Sequence, residues 1–419
     1  MSLVVSALAS NDSCPSSTSS NSKFTAIVIG GGPAGLAISL GLGSLESCEK
    51  VYVVEKQPTF DSRGANFLLA YNGVKALEEI SSGIKDDFEQ VGIVSDMVPE
   101  YPAILIPWWE MRDVILNRVR QMGNDKVTIC TNKRLTQIDD SDDGVTVHFD
   151  NDEDDNIKIL KGDLLIGADG VHSTVRQHLG LRPGTEIGLQ TIIRGHVNNA
   201  HEIDELNPLI SRGLVPIGGN FGGIDGLVCS IFNYDTKLKG KLAWVVGTIQ
   251  QFDIGDDEDK LDGVATALSI LDPSKASQDQ LDDLNLFRAV VSHTEKSNVH
   301  VFPQGKVMDF SPQVLENYNG RWGGSGRITL VGDAAHAFPS SEGQGGSQAF
   351  EDAVVLTRLM RDNHGITSYE QILEEFETSR LPRVKKLHQD QTERFATKMN
   401  GGTNDMWSSE FMKWVFEGV

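Results

Sequence analysis

Three observations predict an α/β protein whose first domain is divided along the chain. Phe24 to Ile29 (FTAIVI) is a continuous apolar, β-branched run, the pattern of a strand buried on both faces. It opens directly onto Gly30-Gly31-Gly32-Pro33-Ala34-Gly35 and a helical pattern from Leu36 to Leu42. Far along the chain, Arg327 to Asp352 (RITLVGDAAHAFPSSEGQGGSQAFED) has the same strand, turn and helix style. Between them, from about Gly184 to Gln313, the pattern changes to alternating segments such as Leu227 to Phe232 and Leu242 to Ile249, which suit an antiparallel sheet with one covered face. The expected fold is a discontinuous Rossmann-like domain with an inserted, mostly antiparallel β-sheet domain and C-terminal helices. The expected boundaries are a disordered tail over 1–23, the Rossmann-like domain over 24–77, 107–183 and 320–365, the inserted domain over 78–106 and 184–319, and helices over 366–419.

In Gly30-x-Gly32-x-x-Gly35 the first glycine makes a tight turn, the second lets a pyrophosphate approach the backbone, and the third lets the helix pack on the strand. A second strand, Val51 to Val54, ends in Glu55, twenty residues after Gly35. An acid there can accept hydrogen bonds from both hydroxyls of an adenosine ribose, so strand, turn, helix, second strand and terminal acid together point to a bound dinucleotide. Lys56, the next residue, is counted with that site. Ser62-Arg63-Gly64-Ala65-Asn66 follows, then a helical Asn72 to Ile80 and an irregular region holding Pro99, Pro102 and Pro107. A helix opens around Arg112, with apolar positions at Val114, Ile115 and Val119. Short strands are expected around Val127 to Cys130, Val145 to Phe149 and Ile157 to Leu160. Asp163 to Ile166 is another buried run and ends in Gly167-Ala168-Asp169-Gly170-Val171-His172-Ser173-Thr174-Val175-Arg176, where Ser173 suits a helix cap.

In the Arg327 stretch, Gly343, Gly345 and Gly346 lack Cβ atoms and let backbone come close to a ligand. The helix opening near Gly345 would aim its N–H groups at that ligand, which suits one that becomes anionic. Beyond Asp352 the pattern is helical through Tyr369 to Phe376, then Leu381-Pro382-Arg383 and a polar helix. Trp407, Phe411, Trp414 and Val415 fall on one helical face, a packing or dimer surface. There is no internal repeat and no second G-x-G-x-x-G, so any second dinucleotide binds without its own copy of the motif.

Composition narrows the function classes. At 419 residues, with 39% hydrophobic and 23% charged residues, the chain reads as a soluble globular protein of two or three domains. Lys and Arg number 37 against 59 Asp and Glu, a net charge of −22, which argues against a phosphate-backbone footprint and so against nucleic acid. Acidic runs lie at Asp139 to Asp155 and Asp256 to Asp259; the first departs from a calcium loop at Asp155 and Lys161 and reads as a solvated hairpin turn. Cys14, Cys48, Cys130 and Cys229 are widely spaced, which supports neither a disulfide framework nor a zinc site and fits a reducing, cytoplasmic compartment. No metal site is expected. The serine-rich Met1 to Lys23 has no basic leader, so a transit peptide is the lesser reading, and no apolar run reaches the length of a membrane span.

Taken in order, these stations resemble the class A flavoprotein monooxygenases, the aromatic-hydroxylase group that includes para-hydroxybenzoate hydroxylase, salicylate hydroxylase and zeaxanthin epoxidase. The resemblance covers roughly Phe24 to Asp352 and rests on three motifs: Gly30-x-Gly32-x-x-Gly35 with Glu55, Asp169-Gly170-x-x-Ser173-x-Val175-Arg176, and Gly332-Asp333 through Pro339, Gly343-Gln344-Gly345 and Glu351-Asp352. It implies FAD as cofactor and transient NADPH or NADH as reductant. Glu55 would hold the adenosine ribose and Asp333 the ribityl hydroxyls. Arg112 would lie on the ribityl-phosphate side, Arg63 beside the isoalloxazine, and Asp169 would serve FAD and the passing nicotinamide cofactor. Backbone at Pro339, Gly345 and Gly346 would face the reactive ring, with no side-chain base assigned. The implied chemistry belongs to the cofactor: NAD(P)H reduces the flavin, oxygen adds at C4a, and one oxygen atom passes to an aromatic or conjugated small molecule. Ser340 and Ser347 depart from many relatives, which have Pro and Asn there. His336 is expected to pack and hydrogen-bond the loop and not to act as an acid or base.

Alternation on the inserted sheet offers Arg194, His196, Phe221, Asn233 and Trp244 as substrate contacts, each with a structural sheet role as the plainer reading. A halogenase is disfavoured because Ile106-Pro107-Trp108-Trp109 has the letters of its tryptophan segment in the wrong order. The remaining alternatives are a flavin-dependent reductase of a prenyl or other activated double bond, and a flavin-binding protein without turnover. A monomer or homodimer is expected.

Overall fold

The structure, a computed structural model, describes residues 23–60, 66–95, 99–150, 158–181, 185–186, 191–211, 228–233, 241–248, 262–303, 306–307, 320–324, 326–338, 344–399 and 409–417. The N-terminal tail, Arg63, the turn after Asp150, Phe221, the run Asp256 to Asp259, Pro339, Gly343 and Trp407 lie outside these residues, as does the side chain of Asn233.

The central element is a five-stranded sheet in the order Ile328–Leu330, Leu164–Gly167, Phe24–Ile29, Cys48–Val54, Val127–Cys130. Every pairing in it is parallel. Phe24–Ile29 lies in the middle with both faces covered, which is why its sequence is apolar without alternation. The strand Ile328–Leu330 enters this sheet beside Leu165–Gly167 from more than 150 residues downstream, so the parallel sheet is assembled from both ends of the chain. Helix Pro33–Gly43 returns along the sheet and packs against helices Trp108–Gln121 and Gln344–Asn363. Phe24, Ile27, Leu36, Leu42, Phe350 and Phe376 are fully buried in this core, each contributing about 2 kcal/mol of apolar burial.

The second sheet is antiparallel, in the order Val228–Asn233, Leu242–Thr248, Thr191–Val197, Val299–Pro303. One face packs Ile193, Val197, Trp244 and Val246 against Phe287 and Val290 of helix Leu281–Ser292 and Ala267 of helix Gly263–Ile270. These covering helices were not singled out in the sequence. The other face meets a small sheet of Asn66–Leu69, Ala103–Pro107 and Ile93–Ser95, through Ala243 against Leu105, Leu68 and Ile93. A further antiparallel sheet, Arg134–Ser141, Gly144–Asp150 and Ile159–Gly162, flanks the parallel one.

Helix Tyr369–Met399 runs through Pro382 without interruption, where the sequence reads as two pieces around Leu381-Pro382-Arg383. The residues on either side of the proline are anchored in the core, Leu381 and Val384 by packing and Arg380 and Arg383 by buried ion pairs, and these hold the helix past the missing N–H. The last helix, Ser409–Glu417, buries Val415 and Phe416 against Ala70 and Leu387, so its apolar face is an internal packing surface.

Candidate active site

The site is built at the C-terminal ends of the parallel strands, where a doubly wound sheet binds ligands. Its first wall is the Gly30–Gly35 turn. Gly30 has φ +113°, and a Cβ there would overlap the Ala168 carbonyl of the neighbouring strand end. A Cβ on Gly35 would overlap the Gly30 carbonyl, so this glycine lets helix Pro33–Gly43 sit on the turn. Gly32 differs: a Cβ there would have no atom within 4 Å, leaving backbone open beside the helix N-terminus. Glu55 closes this corner, with Oε2 accepting from Gly31 N at 2.8 Å and Oε1 from Gln57 N at 2.9 Å. Lys56 is exposed next to it. Arg112 is buried, its guanidinium 5.4 Å from the ring centres of both Phe60 and Trp108, and donates to Asp113 and, at 3.3 Å, to the Phe60 carbonyl.

The second motif is a brace. Asp169 accepts from Ser173 Oγ at 2.5 Å, Thr174 N at 2.7 Å and Val175 N at 3.2 Å, and Ser173 Oγ in turn accepts from Arg176 N at 2.9 Å. Arg176, buried, donates to the carbonyls of Val171, Ala334 (3.1 Å) and Asp333 (3.5 Å). The second motif thereby holds the third at its turn. Burial lowers the Arg176 pKa, opposed by Asp169 and Asp333.

The third motif turns at Gly332, φ +58°, where a Cβ would meet Ala34 at 2.9 Å and Ala349 at 3.1 Å. The short helix Asp333–His336 starts there. Asp333 is accessible from the site; the protein packed around it pushes its carboxyl up, against the pull of His336 and Arg176. Across from it, helix Gln344–Asn363 begins, and its first N–H groups have no partner within the helix. A Cβ on Gly345 would lie 3.8 Å from Asp333 Oδ1 and 4.0 Å from Phe338, so the protein itself does not demand glycine there. The missing Cβ leaves space between Asp333 and the helix N-terminus. The Gly30–Gly35 turn, with Glu55 on it, meets the third motif where Gly332 approaches Ala34, and Gly345 faces Asp333; open backbone, a terminal acid and two helix N-termini are what an extended dinucleotide with a redox-active ring needs.

Residues 23–202 and 269–391 match the family described as FAD binding domain. The chain belongs to this family. It is an FAD-dependent monooxygenase of the class A flavoprotein group. An FAD-dependent urate hydroxylase of Klebsiella oxytoca is 27% identical over 401 residues, covering 86% of this chain and 87% of that protein. The 6-hydroxynicotinate 3-monooxygenase of Bordetella bronchiseptica is 26% identical over 398 residues, covering 86% and 89%. The crystal structure of CtdE in complex with FAD and substrate superposes with a TM-score of 0.72 at 18% identity, covering 94% of this chain and 95% of that one.

Behind the monooxygenase's third motif lies a buried ionic network. Asp352 accepts from Gly332 N at 2.9 Å, His336 Nε2 at 2.6 Å and Arg380 Nε at 2.8 Å. Burial alone would raise its pKa; His336 and Arg380 outweigh that and hold it at about 2. The carboxylate is therefore ionised and acceptor-only, so His336 Nε2 carries the proton. His336 is fully buried between Trp322 and Phe338 and serves the turn, as expected. Glu351 accepts from Asn72 Nδ2 at 2.6 Å, Gln348 Nε2 at 3.1 Å, Arg380 at 2.8 Å and Arg383 at 2.7 and 2.8 Å. Two carboxylates face two guanidiniums, and the charge balances.

On the inserted sheet, Trp244 belongs to the core: it is fully buried against Phe287 and donates to Thr294 Oγ1 at 2.8 Å. Arg194 and His196 lie on the opposite face, with His196 5.4 Å from the Trp109 ring. Burial lowers Arg194 to about 10, and burial with Lys241 and His300 lowers His196 to about 4. Sequence reading missed Asn72, Gln348, Arg380 and Arg383. The one local signal was two arginines three residues apart on an otherwise apolar helix face.

Proposed function

We propose that the monooxygenase uses NADPH or NADH to insert one oxygen atom from O2 into an aromatic or conjugated small molecule, by hydroxylation or epoxidation. The observation that carries this reading is the meeting of the open Gly32 turn and its Glu55 with the space between Asp333 and Gly345, joined where Gly332 approaches Ala34 and held by the Asp169–Arg176 brace. FAD bound along it supplies the redox and oxygen chemistry. Glu55 holds the adenosine ribose, with Lys56 counted beside it, Arg112 lies on the ribityl-phosphate side, and Asp333 takes the ribityl hydroxyls. Arg63, Pro339 and Gly343, outside the described residues, are assigned to the cofactor site by the resemblance alone. The helix N-terminus at Gly345 and Gly346 favours negative charge on the flavin ring. Asp169 is already committed to its helix cap, which supports a role in shaping the site over direct contact with the nicotinamide cofactor.

Relatives named for urate, 6-hydroxynicotinate and 6-methylsalicylate support a planar ring substrate. The face carrying Arg194, His196 and Trp109 is its binding wall, and a neutral His196 there offers a hydrogen bond without charge. The domain limits assigned are 24–77, 107–183 and 320–365 for FAD, and 78–106 and 184–319 for substrate. Our reading is of a cytoplasmic protein, a monomer or homodimer; Cys48 and Cys130 form no disulfide, and among the described residues no helix is long and apolar enough to cross a membrane.

The test is oxygen uptake by FAD-loaded protein with NADPH and then NADH, with and without a panel of phenols and conjugated ring compounds. One compound should accelerate both NAD(P)H oxidation and oxygen uptake and gain one oxygen atom by mass. FAD binding without reduction by either nicotinamide would overturn the reading.

A further inference from the structure

Gly345 and Gly346 have no side chains with which to fix their own N–H groups, yet the residues flanking them are clamped by one neighbouring helix. On one side Gln344 is buried, its Oε1 accepting from Asn72 Nδ2 at 3.1 Å and from Gln348 Nε2 at 3.2 Å. On the other, Ser347 lies so close to Gly73 that a Cβ there would be 2.7 Å from its Oγ. Both contacts come from helix Tyr71–Ile80. The second amide hydrogen of Asn72 reaches Glu351 at 2.6 Å, and Glu351 is gripped from the far side by Arg383, which also donates to the carbonyls of Trp414 (3.2 Å) and Val415 (2.5 Å) in the last helix.

A buried ionic cluster of this kind gives little or no net stability over well-packed apolar side chains of the same volume, although protonating or removing one member costs stability. What it supplies is one fixed geometry, because its donors each tie two or more acceptors on neighbouring elements and misplacement leaves a buried charge unpaired. We propose that Asn72 and Arg383 are positioning residues for the bound flavin: through Gln344 and Glu351 they aim the N-terminal N–H groups of the helix, at Gly345 and Gly346, at the cofactor. The inference rests on the assignment of that helix N-terminus to the flavin ring. Arg383 also neutralises Glu351, whose charge would otherwise weaken the positive end of the helix within two turns of it. Both effects act more on the reduced, more negative cofactor than on the oxidised one.

The test compares wild type with Asn72→Ala, Asn72→Ser, Arg383→Gln and Arg383→Lys. FAD affinity is read by fluorescence quenching, the two-electron potential by titration against a reference dye, and folding by thermal midpoint. In Asn72→Ala and Arg383→Gln the reduced form should lose about tenfold more affinity than the oxidised form, a potential about 30 mV lower for a two-electron couple. Arg383→Lys should return most of the shift. If Asn72→Ala does not fold, Asn72→Ser and the Arg383 pair carry the comparison. Potentials equal to wild type in the folded variants, whatever their thermal midpoints, would overturn the positioning role. A wild-type protein that fails to bind FAD would instead overturn the assignment beneath it.

Discussion

Gly32 and Gly35 stand three residues apart in one motif, yet the protein needs them for different reasons. A Cβ at Gly35 collides with the backbone of its own turn, at the Gly30 carbonyl, and neither partner is a flexible side-chain end. A Cβ at Gly32 meets nothing within 4 Å, so only a ligand makes that position costly. Gly35→Ala should therefore destabilise the apoprotein by about 2 kcal/mol or more, as overpacking against backbone does. Gly32→Ala should leave apoprotein stability within about 0.5 kcal/mol of wild type, the usual range away from packed features, while weakening FAD by at least about tenfold. Urea unfolding of the apoproteins and flavin titration of each separate the two effects; a Gly32→Ala protein that binds FAD like wild type would remove the pyrophosphate from this turn.

At the scale of elements, the join between helix Gln344–Asn363 and helix Tyr369–Met399 is electrostatic, and that makes it sensitive to acid. Asp352 is held at about 2 in the folded protein against 3.8 for a free side chain. A depressed carboxylate stabilises the fold above its unfolded pKa, and that stability is lost as pH falls through the folded value. About 2 kcal/mol should disappear between about pH 4 and pH 2. Urea midpoints across that range should show the slope in wild type, and Asp352→Asn should lack it; equal slopes would mean that other carboxylates carry the acid limb. Little of this join was legible in the sequence. The strand, turn and terminal acid around Gly30–Glu55 could be read because each signal sits inside one short window of chain. Glu351 and Arg380 lie in different helices, and Asn72 reaches Glu351 across 279 residues, so no local pattern announces their contact. The covering helices Gly263–Ile270 and Leu281–Ser292 were missed for a related reason: the sheet they cover had already accounted for the apolar residues of that region. Pro382 misled because its local rule was outweighed by packing on both sides of it.

For the whole molecule, the return of Ile328–Leu330 into the sheet begun at Phe24–Ile29 ties the ends of the chain together around the inserted sheet, so the site cannot assemble until the last strand is in place. The chain as a whole carries a net charge of −22. Among the described residues Glu351 and Asp352 are matched by Arg380 and Arg383 in the interior, while acids such as Asp139, Asp142 and Asp143 are exposed. Self-repulsion of this kind destabilises the folded state and is screened by salt, whose Debye length shortens from about 30 Å at 0.01 M to about 10 Å at 0.1 M. Buried pairs are screened far less, so added salt relieves the surface without loosening the interior. The thermal midpoint at pH 7.5 should accordingly rise by a few degrees between 10 mM and 300 mM NaCl, with most of the gain below 100 mM. Sodium and potassium chloride should act alike, because the effect is screening and not the filling of a cation site. A midpoint that falls with salt would mean that exposed ion pairs such as Arg358 with Glu79 and Arg118 with Asp87 outweigh the repulsion between like charges.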